Sequence, residues 1–466
     1  MVVIHLQESP FAWCLSVAKL STFCSFCFRR SLSSSARLSR CSKCQFLWYC
    51  SKDCQTADWL AHKLECKCLA GMVNADSSIE VPRSEHVDLP DEGLRLIFRI
   101  LTKLAAKDLT EQELSSYGRS MKDLESHLLN FRQSSYHMSK WQTFWKQFVQ
   151  FSGPKLLLKM LWTEEVVFDV WCKTAINCFT VKDDQLQSIG LGLYLNLCRL
   201  WHSCNPSARI IFRGREAVVV PTRTVKFDDS GLNSYSQLTH SYIDNLEPRG
   251  VRRQLLRRDY FFDCECSGCL DSDRTQDMES FACEKCATSS SAACPGKVSY
   301  AGISETFSPC DICGTPFIES STALMVLQTT NSSLSALGRA QPSSAYEICR
   351  RVLQMQDDTL YRFHVGRFKI LNALYESCVS LRKFDEAVLY GQQHLDIARH
   401  YLGPFDPLLL LFIANFAKVC ANANQCKKAS GFAMSVRSIC SDFFGDDSSV
   451  VNELDFVISK DKNGCL

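Results

Sequence analysis

Apolar side chains recur at helical spacing in two long parts of the chain, from about residue 90 to 162 and from about residue 320 onward. In the first part, one apolar face is formed, at positions i, i+3, i+4 and i+7, by Leu94, Ile97, Phe98 and Leu101. An aromatic stripe repeats this spacing with Trp141, Phe144, Trp145 and Phe148. Because aromatic side chains usually fill protein cores, we interpret the stripe as core packing rather than as a ligand site.

The C-terminal part contains two consecutive apolar stripes separated by a turn at Arg382 and Lys383. The first stripe is formed by Leu371, Leu374, Tyr375, Cys378 and Leu381, and the second by Phe384, Ala387, Val388, Gly391 and Leu395. Paired helices of this length predict a tetratricopeptide-like array over residues 320–466, although no strict repeat of about 34 residues is visible.

Short strands are predicted where β-branched and aromatic residues cluster, in residues 1–20 and in two strands from Arg209 to Val220 that join at Gly214. The segment from Val251 to Tyr260 predicts a helix, and its neighbourhood is rich in arginine: Arg249, Arg252, Arg253, Arg257 and Arg258. Such arginines could contact phosphate. The net charge of only +2 favours a solvated face or a surface for an acidic partner instead.

Composition limits the class of protein. A chain of 466 residues exceeds what one core usually organises, so two to four domains are expected. The 27 cysteines are unusual, and metal-bound thiolates point to a reducing compartment. No secretory signal is predicted at Phe11–Ala18 because the apolar stretch is short and Glu8 precedes it. No segment is long enough to span a bilayer, so we expect a cytoplasmic and nuclear protein.

Eight potential metal ligands lie between residues 24 and 66, in the order Cys24-x2-Cys27-x13-Cys41-x2-Cys44-x5-Cys50-x3-Cys54-x7-His62-x3-Cys66. Paired ligands separated by two or three residues suit a short knuckle that closes on one ion, and eight ligands suffice for two tetrahedral zinc ions. The alternative is that these cysteines are buried or disulfide-bonded. Since no open coordination position is implied, the predicted zinc ions are structural.

A second set of cysteines has the spacing of a zinc ribbon. Cys283 and Cys286 form one pair, Cys310 and Cys313 form the other, and Cys294 lies between them. The two pairs frame a loop that contains glycine and serine, as ribbons do, so we predict a further zinc site here.

Short motifs between residues 177 and 269 could carry chemistry. In chain order they are Asn177-Cys-Phe-Thr180, Gly190-Leu-Gly-Leu-Tyr194, Trp201-His-Ser-Cys-Asn-Pro206, Ser241-Tyr-Ile-Asp244 and Cys264-Glu-Cys266-x2-Cys269. Together with the finger and with Glu8-Ser-Pro-Phe-Ala12 before it, this order resembles the SET-and-MYND family of protein-lysine methyltransferases. The resemblance covers nearly the whole chain, and independent local signals agree.

The resemblance implies a multidomain α+β fold in which a MYND zinc finger is inserted into a split, β-rich SET domain. The expected parts are a remnant of the N-terminal SET strands (1–20), the finger (24–66), a helical insertion (70–164), the SET core (165–248), a post-SET segment with its own zinc site (249–270), the zinc ribbon (281–316) and the tetratricopeptide-like helical domain (320–466).

The resemblance also implies ligand sets. One finger zinc would be held by Cys24, Cys27, Cys50 and Cys54, and the other by Cys41, Cys44, His62 and Cys66. A third zinc would be bound by Cys204, Cys264, Cys266 and Cys269. With the ribbon at Cys283, Cys286, Cys310 and Cys313, four zinc ions are expected at most.

For the reaction, the family implies S-adenosylmethionine as methyl donor and Tyr242 as the hydroxyl that orients the target amine. Asn177, His202 and the residue at Trp201 would contact the cofactor, and Phe262 would wall the lysine channel or pack on the adenine. Taken singly, Tyr242, His202 and Phe262 could instead be ordinary core residues.

Three departures from the family pattern bear on activity. The family places a Gly-rich turn ahead of the equivalent of Glu8, and this chain begins too late to contain it, as a truncated or divergent member would. Trp201 stands where the family has asparagine, and indole only donates hydrogen bonds whereas an amide also accepts them. The acidic turn before the tyrosine is replaced by residues 233–238, and Ser207 replaces a second asparagine. We therefore expect the chain to bind the cofactor weakly or not at all.

The resulting functional prediction is a protein-lysine N-methyltransferase that acts on a histone or non-histone protein. The alternative is a catalytically inactive, zinc-scaffolded adaptor whose MYND finger binds proline-rich peptides. A monomer is expected, without membrane association. Direct DNA binding is not expected, because the finger has few basic residues.

Overall fold

A computed structural model describes residues 6–31, 37–75, 90–106, 118–222, 238–288, 296–301, 306–317 and 320–462. Predictions on residues 1–5, on most of the serine-rich stretch at 31–35, on Cys294 and on residues 233–237 lie outside these ranges. The strands are β1 (Leu6–Glu8), β2 (Ala12–Leu15), β3 (Ser39–Arg40), β4 (Trp48–Tyr49), β5 (Cys178–Lys182), β6 (Ser188–Leu193), β7 (Trp201–His202), β8 (Ala208–Arg213), β9 (Glu216–Pro221), β10 (Thr239–His240), β11 (Phe281–Ala282), β12 (Lys297–Val298), β13 (Tyr300–Ala301) and β14 (Thr306–Phe307).

Helices make up most of the remaining described residues. They are α1 (Lys52–Ala75), α2 (Glu92–Ala105), α3 (Leu128–Gln133), α4 (Ser135–Ser152), α5 (Pro154–Met160), α6 (Glu164–Asn177), α7 (Arg249–Tyr260), α8 (Ser267–Leu270), α9 (Ser272–Glu279), α10 (Glu284–Thr288), α11 (Ser320–Leu337), α12 (Pro342–Gln356), α13 (Val365–Ser380), α14 (Phe384–Tyr401), α15 (Pro407–Asn422), α16 (Cys426–Phe444) and α17 (Ser449–Lys462).

Two three-stranded sheets, in the orders β1-β9-β8 and β2-β6-β5, join the N-terminal strands to strands that lie about two hundred residues later. The predicted hairpin at Arg209–Val220 is confirmed, and Gly214 takes a φ of 64° in its turn. Gly190 of β6 lies against the finger, where an added Cβ would clash with the Cys14 carbonyl and approach the Phe28 ring to 3.0 Å. Only glycine permits this close packing of the finger on the sheet.

Helix α2 confirms the first predicted amphipathic pattern. Asp91 caps it by accepting from the amide of Leu94, and Leu94, Ile97 and Phe98 are buried. Phe98 contacts Phe148 of the aromatic stripe at 6.2 Å between ring centroids. The stripe is therefore part of a core, as predicted, shared by the finger, the helical insertion and the sheets.

Helices α11 to α17 form an array in which each helix packs against the next. The apolar faces predicted for residues 371–395 lie in its core, to which the hairpin contributes Ile211, Val218 and Val220. The helical prediction for residues beyond 320 is confirmed, while the likeness to tetratricopeptide repeats stays a prediction.

The interpretation of the arginine-rich helix α7 as a solvated face is wrong for one residue. Arg252 is fully buried and donates to the carbonyl of Gly268 at 3.1 Å, and it also reaches the carbonyl of Glu247. Arg257 and Arg258 are exposed, as expected. The sequence pattern could not show this, because it marks arginine as polar whether or not backbone carbonyls solvate it.

One buried histidine makes the helical array sensitive to acid. The ring of His394 packs against Phe368 and Phe412, at 4.3 Å between ring centroids in both cases. Neither nitrogen of the His394 ring has a hydrogen-bond partner in the described part of the chain. Burial lowers the pKa of His394 from 6.5 to about 3. The unfolded chain therefore binds a proton between these pH values that the folded chain does not. Stability is fully present above pH 6.5 and is lost as the pH falls toward 3.

We expect His394→Leu to remove this acid sensitivity. Each pH unit below the ordinary pKa costs the wild type up to about 1.4 kcal/mol through this residue, and the leucine variant does not bear that cost. Urea denaturation of both proteins at pH 7.5 and pH 5 measures the difference. Other acid-sensitive groups are present in both proteins and cancel, among them the buried His364, whose pKa burial lowers to about 4. An equal loss of stability in the two proteins would contradict the prediction.

Within the described ranges, no helix combines the length and the apolar character that crossing a membrane requires.

Candidate functional site

The first finger cluster brings four cysteines together. The sulfurs of Cys24, Cys27, Cys50 and Cys54 lie within 4.8 Å of one another. The Cys27–Cys50 and Cys50–Cys54 sulfur distances are 3.8 and 3.5 Å. Zinc–sulfur bonds of about 2.3 Å place the corners of a tetrahedron about 3.8 Å apart. These sulfurs are too distant for a disulfide of about 2.05 Å, and their spacing fits a zinc ion.

The second finger cluster contains the histidine. Cys41, Cys44, His62 and Cys66 are all buried, and their ligand atoms lie within 4.8 Å of one another. Nε2 of His62 is 3.5 Å from the Cys44 sulfur, and Nδ1 is 3.1 Å from Oε2 of Glu65. A carboxylate on the far nitrogen fixes the ring orientation of a metal-binding histidine. The geometry thus follows the pairing that the resemblance implied.

A buried charge network connects this cluster to helix α2. Glu65 accepts from Nε of Arg95 at 2.7 Å and from Nε and Nη2 of Arg99 at 2.9 and 2.7 Å. Arg99 also binds Asp58, which accepts from the hydroxyl of Tyr49 at 2.8 Å. Burial acts to raise the pKa of Glu65, but Arg99 and Arg95 together hold it well below its ordinary range. The finger is therefore joined to the core by paired charges.

A third cluster surrounds Cys204. The ligand atoms of His202, Cys204, Cys264 and Cys266 lie within 4.8 Å of one another, and the Cys204 and Cys269 sulfurs are 3.6 Å apart. Five potential ligands thus surround one site, whereas a structural zinc ion takes four ligands. Nδ1 of His202 accepts from the amide of Tyr242 at 3.1 Å, so in the neutral ring Nε2 carries the proton and donates to the Cys204 sulfur at 3.3 Å. This geometry favours the four cysteines as ligands and His202 as their hydrogen-bond donor.

A fourth cluster joins the two predicted ribbon pairs. The sulfurs of Cys283, Cys286, Cys310 and Cys313 lie within 4.8 Å of one another.

Beside the third cluster lies a cavity of about 560 Å³. Among the residues predicted for the site, Asn177 and Tyr242 line it. Phe262 and His202 do not line it but pack behind Tyr242, at 6.5 and 5.2 Å between ring centroids. Trp201 is outside the cavity, with 71% of its surface exposed. The structure therefore brings together four of the five predicted residues and leaves Trp201 apart.

The hydroxyl of Tyr242 is held in place by the protein. It donates to the carbonyl of Leu200 at 2.8 Å, which leaves the oxygen lone pairs to accept from another group. Burial raises the pKa of Tyr242 above its ordinary value and lowers the pKa of the adjacent His240 to about 3. Both rings are neutral at neutral pH, so this wall of the cavity is aromatic and uncharged.

Two contributions to the cavity were missed by sequence reasoning. Tyr260 lies 4.9 Å from Tyr242 between ring centroids and lines the cavity; its place two residues before Phe262 was an available signal. The helical array supplies Leu402, Asp406, Pro407 and Leu408, which no local motif marked. Nε of Arg209 donates to Asp406 at 2.9 Å, so the charges at this edge are paired.

Asn177 and His202 offer different groups to a ligand. Asn177 donates both amide hydrogens, to the carbonyls of Glu125 at 3.0 Å and Lys173 at 2.8 Å, so its amide oxygen is the atom left to accept from a ligand. Both ring nitrogens of His202 are engaged and its strand β7 pairs with β10, so His202 offers a ligand less than Asn177 does.

Comparison with known proteins finds a match for the finger and relatives that cover most of the chain. The family profile of the MYND finger matches residues 24–66. The chain is 28% identical to SET domain-containing protein 14 of Caenorhabditis elegans over 98% of each chain. It is 23% identical to histone-lysine N-methyltransferase SMYD3 of Homo sapiens, over 86% of this chain and 79% of that protein. It is also 28% identical to SET domain and MYND-type zinc finger protein 6 of Schizosaccharomyces pombe, over 57% of this chain and 47% of that protein.

Proposed function

Since the chain belongs to the SET-and-MYND family, we propose that it transfers a methyl group from S-adenosylmethionine to a lysine of a protein substrate. The observation that carries the proposal is the fixed, neutral hydroxyl of Tyr242 on an aromatic cavity wall beside a cysteine cluster. Methyl transfer from the labelled cofactor to a mixture of histones and peptides tests it, and absence of transfer by the wild-type protein would contradict it.

Tyr242 and Tyr260 prepare the lysine for reaction. A lysine amine has a reference pKa near ~10.4 and attacks only when neutral. An uncharged aromatic wall disfavours the ammonium form, so contact with Tyr242 and Tyr260 promotes loss of the proton. The lone pairs of the Tyr242 hydroxyl then accept from the amine and orient it. The bound cofactor supplies an electrophilic methyl group.

The chain's own residues offer the cofactor fewer contacts than the family pattern. The amide oxygen of Asn177 suits a cationic amino group, whereas both ring nitrogens of His202 are engaged and His202 does not line the cavity. Trp201 cannot supply an acceptor, and its side chain is largely exposed and does not line the cavity. The residues fit the cofactor, but with one hydrogen-bonding position lost.

We expect calorimetry to show that the wild-type protein binds S-adenosylmethionine more weakly than micromolar and that Trp201→Asn binds it about tenfold more tightly. A hydrogen bond gained at this exposed position is worth about 0.5–1.5 kcal/mol, and the upper end of that range corresponds to about tenfold in affinity. Trp59→Asn is the matched control, since Trp59 is also an exposed tryptophan but lies on the finger. Micromolar or tighter binding by the wild type would contradict weak binding, and an unchanged Trp201→Asn variant would show that Trp201 is not the obstacle.

The proposed methyltransferase contains three structural zinc ions. Two lie in the finger and one is held by Cys204, Cys264, Cys266 and Cys269. Sulfur spacing close to that of a zinc tetrahedron supports these assignments. The strand pairing of residues 6–15 with residues 188–221 across the finger supports a SET domain split by the finger, with the boundaries given above.

Protein substrates are inferred from membership of the family. A reducing compartment, the cytoplasm and the nucleus, is inferred because clusters of free thiolates do not persist where disulfides form. The adaptor alternative has one supporting observation, the exposed Trp59 and Leu60 on helix α1 of the finger. A proline-rich peptide would bind there whether or not methyl transfer occurs.

A further inference from the structure

We propose that Cys283, Cys286, Cys310 and Cys313 bind a fourth structural zinc ion, and that this ion fastens the helical array against the cavity. The site does not depend on methyl transfer. The Cys283–Cys313 and Cys286–Cys310 sulfur distances are 3.6 and 3.8 Å, close to the tetrahedral edge of about 3.8 Å and far from a disulfide. Three of the four cysteines are buried, so their thiols face one another rather than solvent.

The backbone around the cluster is shaped for bound sulfur. Gly314 takes a φ of 64° directly after Cys313, and its amide donates to the carbonyl of Cys310 at 3.0 Å, which closes a tight knuckle. The amide of Ile312 donates to the Cys310 sulfur at 3.4 Å. A Cβ at Gly296 would clash with the Cys310 sulfur and come within 3.2 Å of the Cys286 sulfur. The opposite loop is therefore built to let both sulfurs approach one point.

The cluster is fixed to the helical array by backbone pairing. The amide of Ala282 donates to the carbonyl of Thr359 at 2.9 Å, and the amide of Tyr361 donates to the carbonyl of Ser280 at 3.1 Å. Between these bonds, the buried Phe281 shares a small core with Leu360 and with three of the cluster cysteines, Cys283, Cys286 and Cys310. Loss of the metal would free the two cysteine turns that hold this small core in place.

A charged link extends from the cluster to the cavity wall. Asp277 accepts from Lys297 of β12 at 2.9 Å with one oxygen, and its other oxygen is 2.8 Å from Nε2 of His400. His400 lies in the last turn of α14, two residues before the cavity residue Leu402. Metal binding at the cluster therefore fixes β12, Asp277 and the end of α14 in sequence.

Metal counting on the full-length protein tests the site. We expect four zinc ions per wild-type chain, three in the Cys310→Ser/Cys313→Ser variant and four in Cys68→Ser, which removes a cysteine outside every cluster. Three ions in the wild type, or a fourth metal that is not zinc, would overturn the proposal. If the double variant does not fold, the wild-type count alone decides.

Hydrogen exchange tests the fastening role. In Cys310→Ser/Cys313→Ser, we expect amides of residues 400–408 to exchange at least about tenfold faster, because the link to His400 loosens. Asp277→Asn should keep four zinc ions and still speed exchange in this segment. Unchanged exchange in the metal-depleted variant would overturn the fastening role while leaving the metal count intact. If that variant is unfolded, unchanged exchange in Asp277→Asn would do so.

Discussion

Replacing Arg99 with methionine is expected to destabilise the protein by about 3–5 kcal/mol, because it leaves the buried Asp58 without its cation and Glu65 with Arg95 alone. Arg99 is 2% exposed and is the only residue among the described contacts that binds both Asp58 and Glu65. Methionine keeps most of the volume and none of the charge, so the loss reports electrostatics rather than a cavity.

The same substitution should weaken the second finger cluster. Glu65 orients His62 through Nδ1, and without Arg99 the pKa of Glu65 rises, because burial then has one less cation opposing it. Zinc release, followed with a chromogenic chelator, should be faster in Arg99→Met than in the wild type. Denaturant titration of the same samples gives the change in the free energy of unfolding.

Arg257→Met is the matched control. Arg257 is 63% exposed on its side chain and pairs with Asp263 at the surface, where an ion pair contributes about 0–1 kcal/mol. If Arg99→Met were no more destabilising than Arg257→Met, the buried network would not be what joins the finger to the core.

The finger could be predicted from the sequence because its information is local. Paired ligands at short spacing restrict a knuckle to one ion, so the order of eight ligands predicted two zinc sites, whereas the interleaved pairing of the knuckles was implied only by the resemblance to the family. The helices were equally accessible, since burial of one face imposes a periodic pattern that is read directly.

The buried charged residues could not be predicted from the sequence in this way. In the sequence of α2, Arg95 and Arg99 stand among apolar residues, and charged residues of an amphipathic helix are expected on its solvent-facing side. In the structure, both side chains are almost completely buried. Their burial depends on carboxylates thirty or more positions away, and spacing along one helix contains no trace of such partners. Arg252 was misjudged for the same reason.

One wall of the candidate site could be predicted from the sequence and the other could not. Tyr242 was identified through a local motif, but the opposite wall comes from residues 402–408, far along the chain. Only packing of the helical array on the β8–β9 hairpin brings them together, and that packing leaves no short-range signature.

Tyr242→Phe is expected to lower methyl transfer by about 100-fold or more, because the amine loses the group that holds it in line with the methyl donor. The ring and its contacts with Tyr260 and His202 are kept, so the cavity shape should not change. Loss of the hydrogen bond to Leu200 costs only about 1 kcal/mol of stability. The measurement is incorporation of labelled methyl groups at saturating cofactor, which separates the rate from weak cofactor binding.

Tyr346→Phe serves as the matched control, because Tyr346 also donates from its hydroxyl but does so to Glu386 within the helical array. It should transfer methyl groups at the wild-type rate. Equal incorporation by wild type and Tyr242→Phe would remove Tyr242 from the reaction. Incorporation by neither protein, in samples that hold their zinc, would favour the adaptor, whose proposed peptide surface at the exposed Trp59 and Leu60 requires no chemistry at the cavity.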